Sequence, residues 1–117
     1  MGIQGVHHIN LLKNDHSMRK VSILVPVYNV EQYIERCVVS LFEQTYENIE
    51  YIFVNDYTPD GSISIIKNIL PKYPKRIHQV KIINHVTNKG IAAARNTAVY
   101  NSSGDYLMYV DSDDYVD

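Results

Sequence analysis

The residues of this chain best suited to chemistry are the acids Asp111, Asp113 and Asp114, which follow the apolar run from Tyr106 to Val110. Hard divalent cations take oxygen ligands, and Mg²⁺ or Mn²⁺ commonly combines one or two carboxylates with substrate phosphates. Asp111-Ser112-Asp113 has that donor chemistry, with Ser112 between the two acids; a polar turn or a helix cap is the plainer reading of the same residues. Asp56, also at the end of an apolar run, is a carboxylate suited to accept a hydrogen bond from a base or a ribose, or to cap the turn before Asp60. Tyr28 offers an aromatic face for a base to stack on. Asn88-Lys89-Gly90 opens an alanine-rich segment whose helical N-terminus would favour phosphate, with Gly90 allowing close approach. Arg95 suits a phosphate or an acid, bidentately, and a structural pairing with Asp56 or Asp111 is an equal reading that does not exclude a ligand role.

Positioning these residues requires a repeating scaffold, and the periodicity supplies one. Val21 to Pro26 is a short apolar run closed by proline, the pattern of a buried strand. Val30, Ile34, Val38, Leu41 and Phe42 fall on one face of a helix, opposite Glu31, Gln32, Glu35 and Arg36. Ile49 to Val54 is a second strand, and Pro59-Asp60-Gly61 a turn. Asp60 or Ser62 caps a second helix with Ile63, Ile66 and Leu70 on its inner stripe, ending before Pro71. Val80 to Ile83 is a third strand. Asn88 is expected to cap a third helix through Ala98, and Tyr106 to Val110 forms the fourth strand. This β-α-β-α-β-α-β order predicts an α/β fold, a Rossmann-like parallel sheet flanked by helices. Ligands of such sheets bind beyond the carboxyl ends of the strands, where Pro26-Val27-Tyr28-Asn29, Asn55-Asp56, His85 to Gly90 and Asp111-Ser112-Asp113-Asp114 stand.

Bulk properties narrow the class. The 117 residues are enough for one domain, 45% are hydrophobic and 21% charged, and the net charge of -2 gives no footing for nucleic acid. The single cysteine, Cys37, excludes an internal disulfide and reads as a core thiol. No apolar run approaches the ~20 residues of a membrane span. Residues 1–20 lack a period and read as a leader or tail, leaving 21–117 as the folding unit. A cytoplasmic protein, or one peripheral to the inner face of the membrane, is the expectation.

The motifs together resemble family 2 glycosyltransferases from Val21 to Asp117. Val21 to Asn29 is similar to the family's opening strand and loop, and Ser40 to Tyr46 to its S-x-x-x-Q-T-Y helix end. Asn55-Asp56 through Asp60-Gly61-Ser62 resembles the D-D-x-S-x-D-G-T segment. Asn88-Lys89-Gly90 with Ala94-Arg95-Asn96 resembles the N-x-G-x-x-x-A-R-N run, and Gly104-Asp105-Tyr106 to Asp114 the final strand and D-x-D-D. Asn55 stands where Asp is frequent, and Tyr57-Thr58 replaces a commoner small polar pair.

The resemblance implies the nucleotide-binding half of a GT-A fold, a nucleotide-diphosphate sugar as donor, and Mn²⁺ or Mg²⁺. Pro26, Val27 and Tyr28 would frame the base and Asp56 read its edge, which favours a UDP-sugar because uracil N3 is a donor. Gly90 and Arg95 would lie near the nucleotide. Ser112 would contact ribose or phosphate, Asp113 would ligate the metal, and Asp111 would support both. The acceptor, a glycan or a lipid-linked glycan, and the catalytic base of an inverting transfer are expected beyond Asp117, so no residue here is assigned as catalytic. Two rivals remain: a binding-only fragment, and a sugar-nucleotide nucleotidyltransferase, which would want a glycine-rich loop that Pro26-Val27-Tyr28-Asn29 does not provide. The absence of G-x-G-x-x-G after the first strand disfavours a dinucleotide-dependent dehydrogenase.

Overall fold

The structure, a computed structural model, describes residues 19–112. Four strands, β1 (Val21–Val27), β2 (Ile49–Asn55), β3 (Val80–Asn84) and β4 (Tyr106–Tyr109), form one sheet in the order β3-β2-β1-β4. Every pairing is parallel. Helices α1 (Ile34–Phe42), α2 (Ser62–Ile69) and α3 (Ile91–Tyr100) make the crossovers, with two short 3₁₀ turns between α2 and β3. The α/β parallel sheet expected from the periodicity is the fold observed.

Residue types explain the layering. β1 is buried along its whole length, so it carries apolar residues on both faces rather than alternating with polar ones. Its odd positions, Val21, Ile23, Val25 and Val27, pack with Ile34, Cys37, Val38 and Leu41 of α1 and Ile66 of α2. Leu24 points to the opposite face, with Ile52, Val54, Ala94 and Ala98. There the alanines let α3 lie close to the sheet. The chain steps from β1 to β2 to β3 in one direction, then returns past β1 to place β4. With right-handed crossovers that reversal sends α3 to the face opposite α1 and α2.

Several boundaries differ from the sequence expectation for physical reasons. Val30 lies outside α1, where its carbonyl accepts hydrogen bonds from Tyr33 and Ile34 and so seeds the helix. The N-cap of α3 is Gly90, not Asn88, and no side chain caps that helix. The Asn88 amide is engaged elsewhere, by Asp56, as described below. The C-terminal end of α1 is closed by Arg76, a buried guanidinium that donates to the carbonyls of Phe42, Gln44 and Tyr46. A cation at a helix C-terminus suits the helix dipole.

Candidate functional site

The sheet reverses its winding between β1 and β4, the topological switch point at which open parallel sheets bind ligands. A cleft of about 470 Å³ opens there, lined by residues that include Pro26, Tyr28, Asp56, Gly90, Asp111 and Ser112. That volume is within the range of small-molecule sites. Six of the nine residues predicted from the sequence therefore share one cavity wall. Val27 is fully buried beneath it, in the core. Arg95 is held at the cleft by its contact with Asp111, and Asp113 lies outside the described residues.

The β1 loop turns sharply at Asn29, whose φ of 56° is left-handed, and this leaves Tyr28 47% exposed. The turn is fixed from the side by the loop after β2. Thr58 Oγ1 accepts from the Asn29 amide at 2.7 Å and donates to Asp60 Oδ1 at 2.7 Å. Asp60 also accepts from the amides of Ser62 and Glu31 and from the Ser62 hydroxyl. Burial works to raise its pKa, but these donors outweigh it and hold Asp60 below its ordinary value. Asp60 thus serves both the start of α2 and the shape of the Tyr28 loop.

Asp56 is 2% exposed, and its two carboxylate oxygens take four donors from this chain. Oδ1 accepts from the Lys89 amide at 2.8 Å and from the His85 ring Nδ1 at 2.9 Å. Oδ2 accepts from the Gly90 amide at 2.8 Å and from the Asn88 side chain at 3.0 Å. Burial raises the pKa of Asp56, but the His85 hydrogen bond and the two amides prevail and leave it lowered. A carboxylate has about four acceptor sites, so Asp56 is already saturated by the loop between β3 and α3. Gly90, the last residue of that loop, has φ 94°, and a Cβ built there meets nothing within 4 Å. It faces open cleft, and glycine is required by its backbone conformation rather than by crowding.

On the β4 side, Arg95 Nη2 donates to Asp111 Oδ1 at 3.1 Å, with both side chains more than 40% exposed. The guanidinium lies 5.8 Å from the centre of the Tyr109 ring. Of the two partners the sequence allowed for Arg95, Asp111 is the one it takes. The Ser112 hydroxyl donates to the Pro26 carbonyl at 2.8 Å and ties the end of β4 to the end of β1. Among the described residues no three His, Cys, Asp or Glu side chains cluster as a metal site. Asp111 by itself presents a half-exposed carboxylate to the cleft, a hard oxygen donor suited to Mg²⁺ or Mn²⁺.

Sequence reasoning assigned no role to His85, although it immediately follows β3. The signal was its place at a strand end, where it opens the run His85 to Gly90 that was singled out for chemistry. What hid its role is that both its partners, Asp56 and Thr97, come from other elements.

A parallel α/β sheet with a cleft at its switch point defines a ligand-binding α/β class of fold, and comparison with known proteins makes the class particular. The family model for glycosyl transferase family 2 matches residues 22–117. The chain belongs to that family. It is 48% identical over 96 residues to the uncharacterized glycosyltransferase EpsJ of Bacillus subtilis, covering 82% of this chain and 26% of EpsJ. It is 43% identical over 98 residues to the glycosyltransferase GlyA of Streptococcus pneumoniae, covering 84% of this chain and 13% of GlyA. The chain thus spans about a quarter or less of the length of these two relatives. Among solved structures, S. aureus TarS 1-349 in complex with UDP superposes with a TM-score of 0.73 at 32% identity, covering 84% of this chain and 28% of that one. The mannosyltransferase PcManGT from Pyrobaculum calidifontis, in complex with GDP-Man and Mn²⁺, gives 0.77 at 25% identity, covering 83% and 28%. The fold is that of the GT-A glycosyltransferases. No helix among the described residues is long and apolar enough to cross a membrane.

Proposed function

We propose that this chain forms the donor site of an inverting glycosyltransferase, which binds a nucleotide-diphosphate sugar for transfer to a glycan or lipid-linked acceptor. The observation that carries this reading is the cleft between β1 and β4, whose wall includes both the half-exposed Tyr28 and the half-exposed Asp111 carboxylate. An aromatic face and an acid lining one cavity suit the two ends of a nucleoside diphosphate. The base would stack on Tyr28, and Asp111 would meet the diphosphate by way of a divalent cation. A UDP-sugar is the favoured donor, supported by the TarS structure that contains UDP.

Asp111 and Asp113 would hold Mn²⁺ or Mg²⁺, which supplies charge stabilisation of the departing diphosphate. The chain's own residues do the rest of donor binding. Arg95, tethered by Asp111, keeps a cation beside the phosphates. Ser112 holds the β1 and β4 ends together, which sets the width of the cleft. Among the described cleft residues Asp56 is saturated by its donors and Asp111 is given to the cation and Arg95, so neither is assigned as general base. Acceptor positioning and deprotonation are assigned to residues outside the described cleft.

Isothermal titration of the 117-residue chain with UDP, with Mn²⁺ and then with excess chelator, tests this reading. UDP binding that weakens at least about tenfold on chelation, or in Asp111→Asn, is the expected result. Failure to bind UDP, GDP or ADP under any metal condition would overturn it, and equal affinity with and without metal would remove the cation from it.

A further inference from the structure

His85 is buried at the end of β3, with a side-chain exposure of 7%, and is used by nothing in the donor-binding account above. Its ring bridges two elements. Nδ1 meets Asp56 Oδ1 at 2.9 Å, and Nε2 meets Thr97 Oγ1, on α3, at 2.7 Å. An ionised carboxylate only accepts hydrogen bonds, so the proton must sit on Nδ1. Nε2 hydrogen-bonds the Thr97 hydroxyl, which can donate to a bare nitrogen or accept from a protonated one. The same Asp56 oxygen receives the Lys89 amide, and its other oxygen receives Gly90 and Asn88, two residues of the cleft wall. The Thr97–His85–Asp56 chain therefore ends on the segment that shapes the nucleotide cleft.

We propose that His85 is a positioning residue of the nucleotide site: by donating Nδ1–H to Asp56 and hydrogen-bonding Thr97 through Nε2, it fixes the carboxylate rotamer that holds Asn88, Lys89 and Gly90 against the cleft. The inference rests on the nucleotide-binding reading for its consequence, but not for its geometry. A carboxylate turns freely about its Cβ–Cγ bond unless its oxygens are held in distinct directions. The loop amides hold Asp56 from the α3 side. His85 is the donor that holds it from β3, and Thr97 anchors the ring to a rigid helix. Without this bracing Asp56 loses one of its four donors, and the loop gains freedom that a bound nucleotide must then remove.

The experiment compares His85→Asn, whose amide reproduces the Nδ1 donor, with His85→Leu, which fills the space and donates nothing. The first readout is UDP affinity by titration with Mn²⁺. The second, independent of any ligand, is hydrogen exchange at the Lys89 and Gly90 amides. The third is the ¹⁵N spectrum of the His85 ring in the wild-type chain, assigned by its loss in the variants. The expected result is a loss of UDP affinity of roughly tenfold in His85→Leu, the scale of one hydrogen bond to a charged group. Recovery to within about threefold is expected in His85→Asn, with amide protection following the same order. The wild-type ring should carry its proton on Nδ1.

A chain that binds no UDP, yet shows this protection order and tautomer, would refute the nucleotide reading and leave the positioning role intact. Three results would overturn the role itself: a ring protonated on Nε2 with Nδ1 bare, loop amides equally protected in wild type and His85→Leu, or His85→Asn no better than His85→Leu in both assays. A ring protonated on Nε2 with Nδ1 bare overturns the role even where one variant fails to fold, because the other still assigns the His85 signal.

Discussion

Asp56 shows how much a single residue's role depends on what surrounds it. A carboxylate after a strand suits base reading, yet here its lone pairs are occupied by His85, Asn88, Lys89 and Gly90. The two roles predict different losses. If Asp56 read the base, Asp56→Asn would erode the distinction between UDP and ADP. As a loop anchor it should weaken both alike, because Asn keeps one acceptor oxygen and presents an NH₂ to donors already in place. We expect UDP and ADP affinities to fall together by roughly tenfold or more, with their ratio unchanged within about twofold. Parallel titrations check this, and a selective loss of UDP binding would return Asp56 to base recognition.

At the scale of elements, the opposite end of the sheet is closed as tightly as the cleft end is open. The approach of the segment after α3 to β1 requires a glycine. A Cβ on Gly104 would lie 2.4 Å from Ser22 Oγ and 2.7 Å from the Ser22 backbone nitrogen, and the latter cannot move without distorting β1. The Gly104 amide also donates to Ser22 Oγ at 2.8 Å. Gly104→Ala should therefore destabilise the fold by about 1–3 kcal/mol, the range for overpacking a well-packed interior. Urea denaturation measures it, and a wild-type midpoint would show that β4 tolerates displacement. The resemblance marked Gly104 as part of a motif, but a sequence does not show which backbone the missing side chain would strike.

At the scale of the whole molecule, that closed end is organised around a buried acid. Glu50 is 4% exposed and accepts from Ser22 Oγ at 2.6 Å and the Ser103 amide at 2.6 Å, with Lys20 and Lys81 within 3.5 Å. It joins β1, β2, β3 and the segment leading to β4. Burial raises its pKa, but the hydrogen bonds from Ser22, Ser103 and Lys81 and the charge of Lys20 prevail, lowering it from 4.5 to about 2. A carboxylate depressed in the folded state stabilises the fold above its unfolded pKa and loses that contribution as pH falls through the folded value. Stability should therefore decline from about pH 4.5 toward pH 2, with Asp56 and Asp60 adding to the same slope. Glu50→Gln should cost about 1–3 kcal/mol at pH 7 and flatten the decline. Denaturation at pH 7 and pH 3 checks both, and an equal pH dependence in variant and wild type would mean that Glu50 does not carry it.

The sequence by itself determined the layers of this protein and the strand ends at which its chemistry stands. Apolar runs such as Val21 to Val25 and the helical stripe of Ile34, Val38 and Leu41 encode burial locally, through periods that any single segment displays. Tyr28, Gly90, Asp111 and Ser112 could be placed in one cleft from the sequence because each follows a strand, or opens the helix after one, in a parallel sheet. Partnership was decided only by tertiary structure. Arg95 had two acids within its reach on paper, and the position of α3 beside β4 chose Asp111. Asn88 had the composition of a helix cap, and the nearness of Asp56 drew its amide away and left the N-cap to Gly90. His85 acquired its role when β2 and α3 brought a carboxylate and a hydroxyl to its two nitrogens. Burial follows from hydrophobic pattern, which is local, whereas a hydrogen bond is satisfied by whichever donor the folded chain brings within 3 Å.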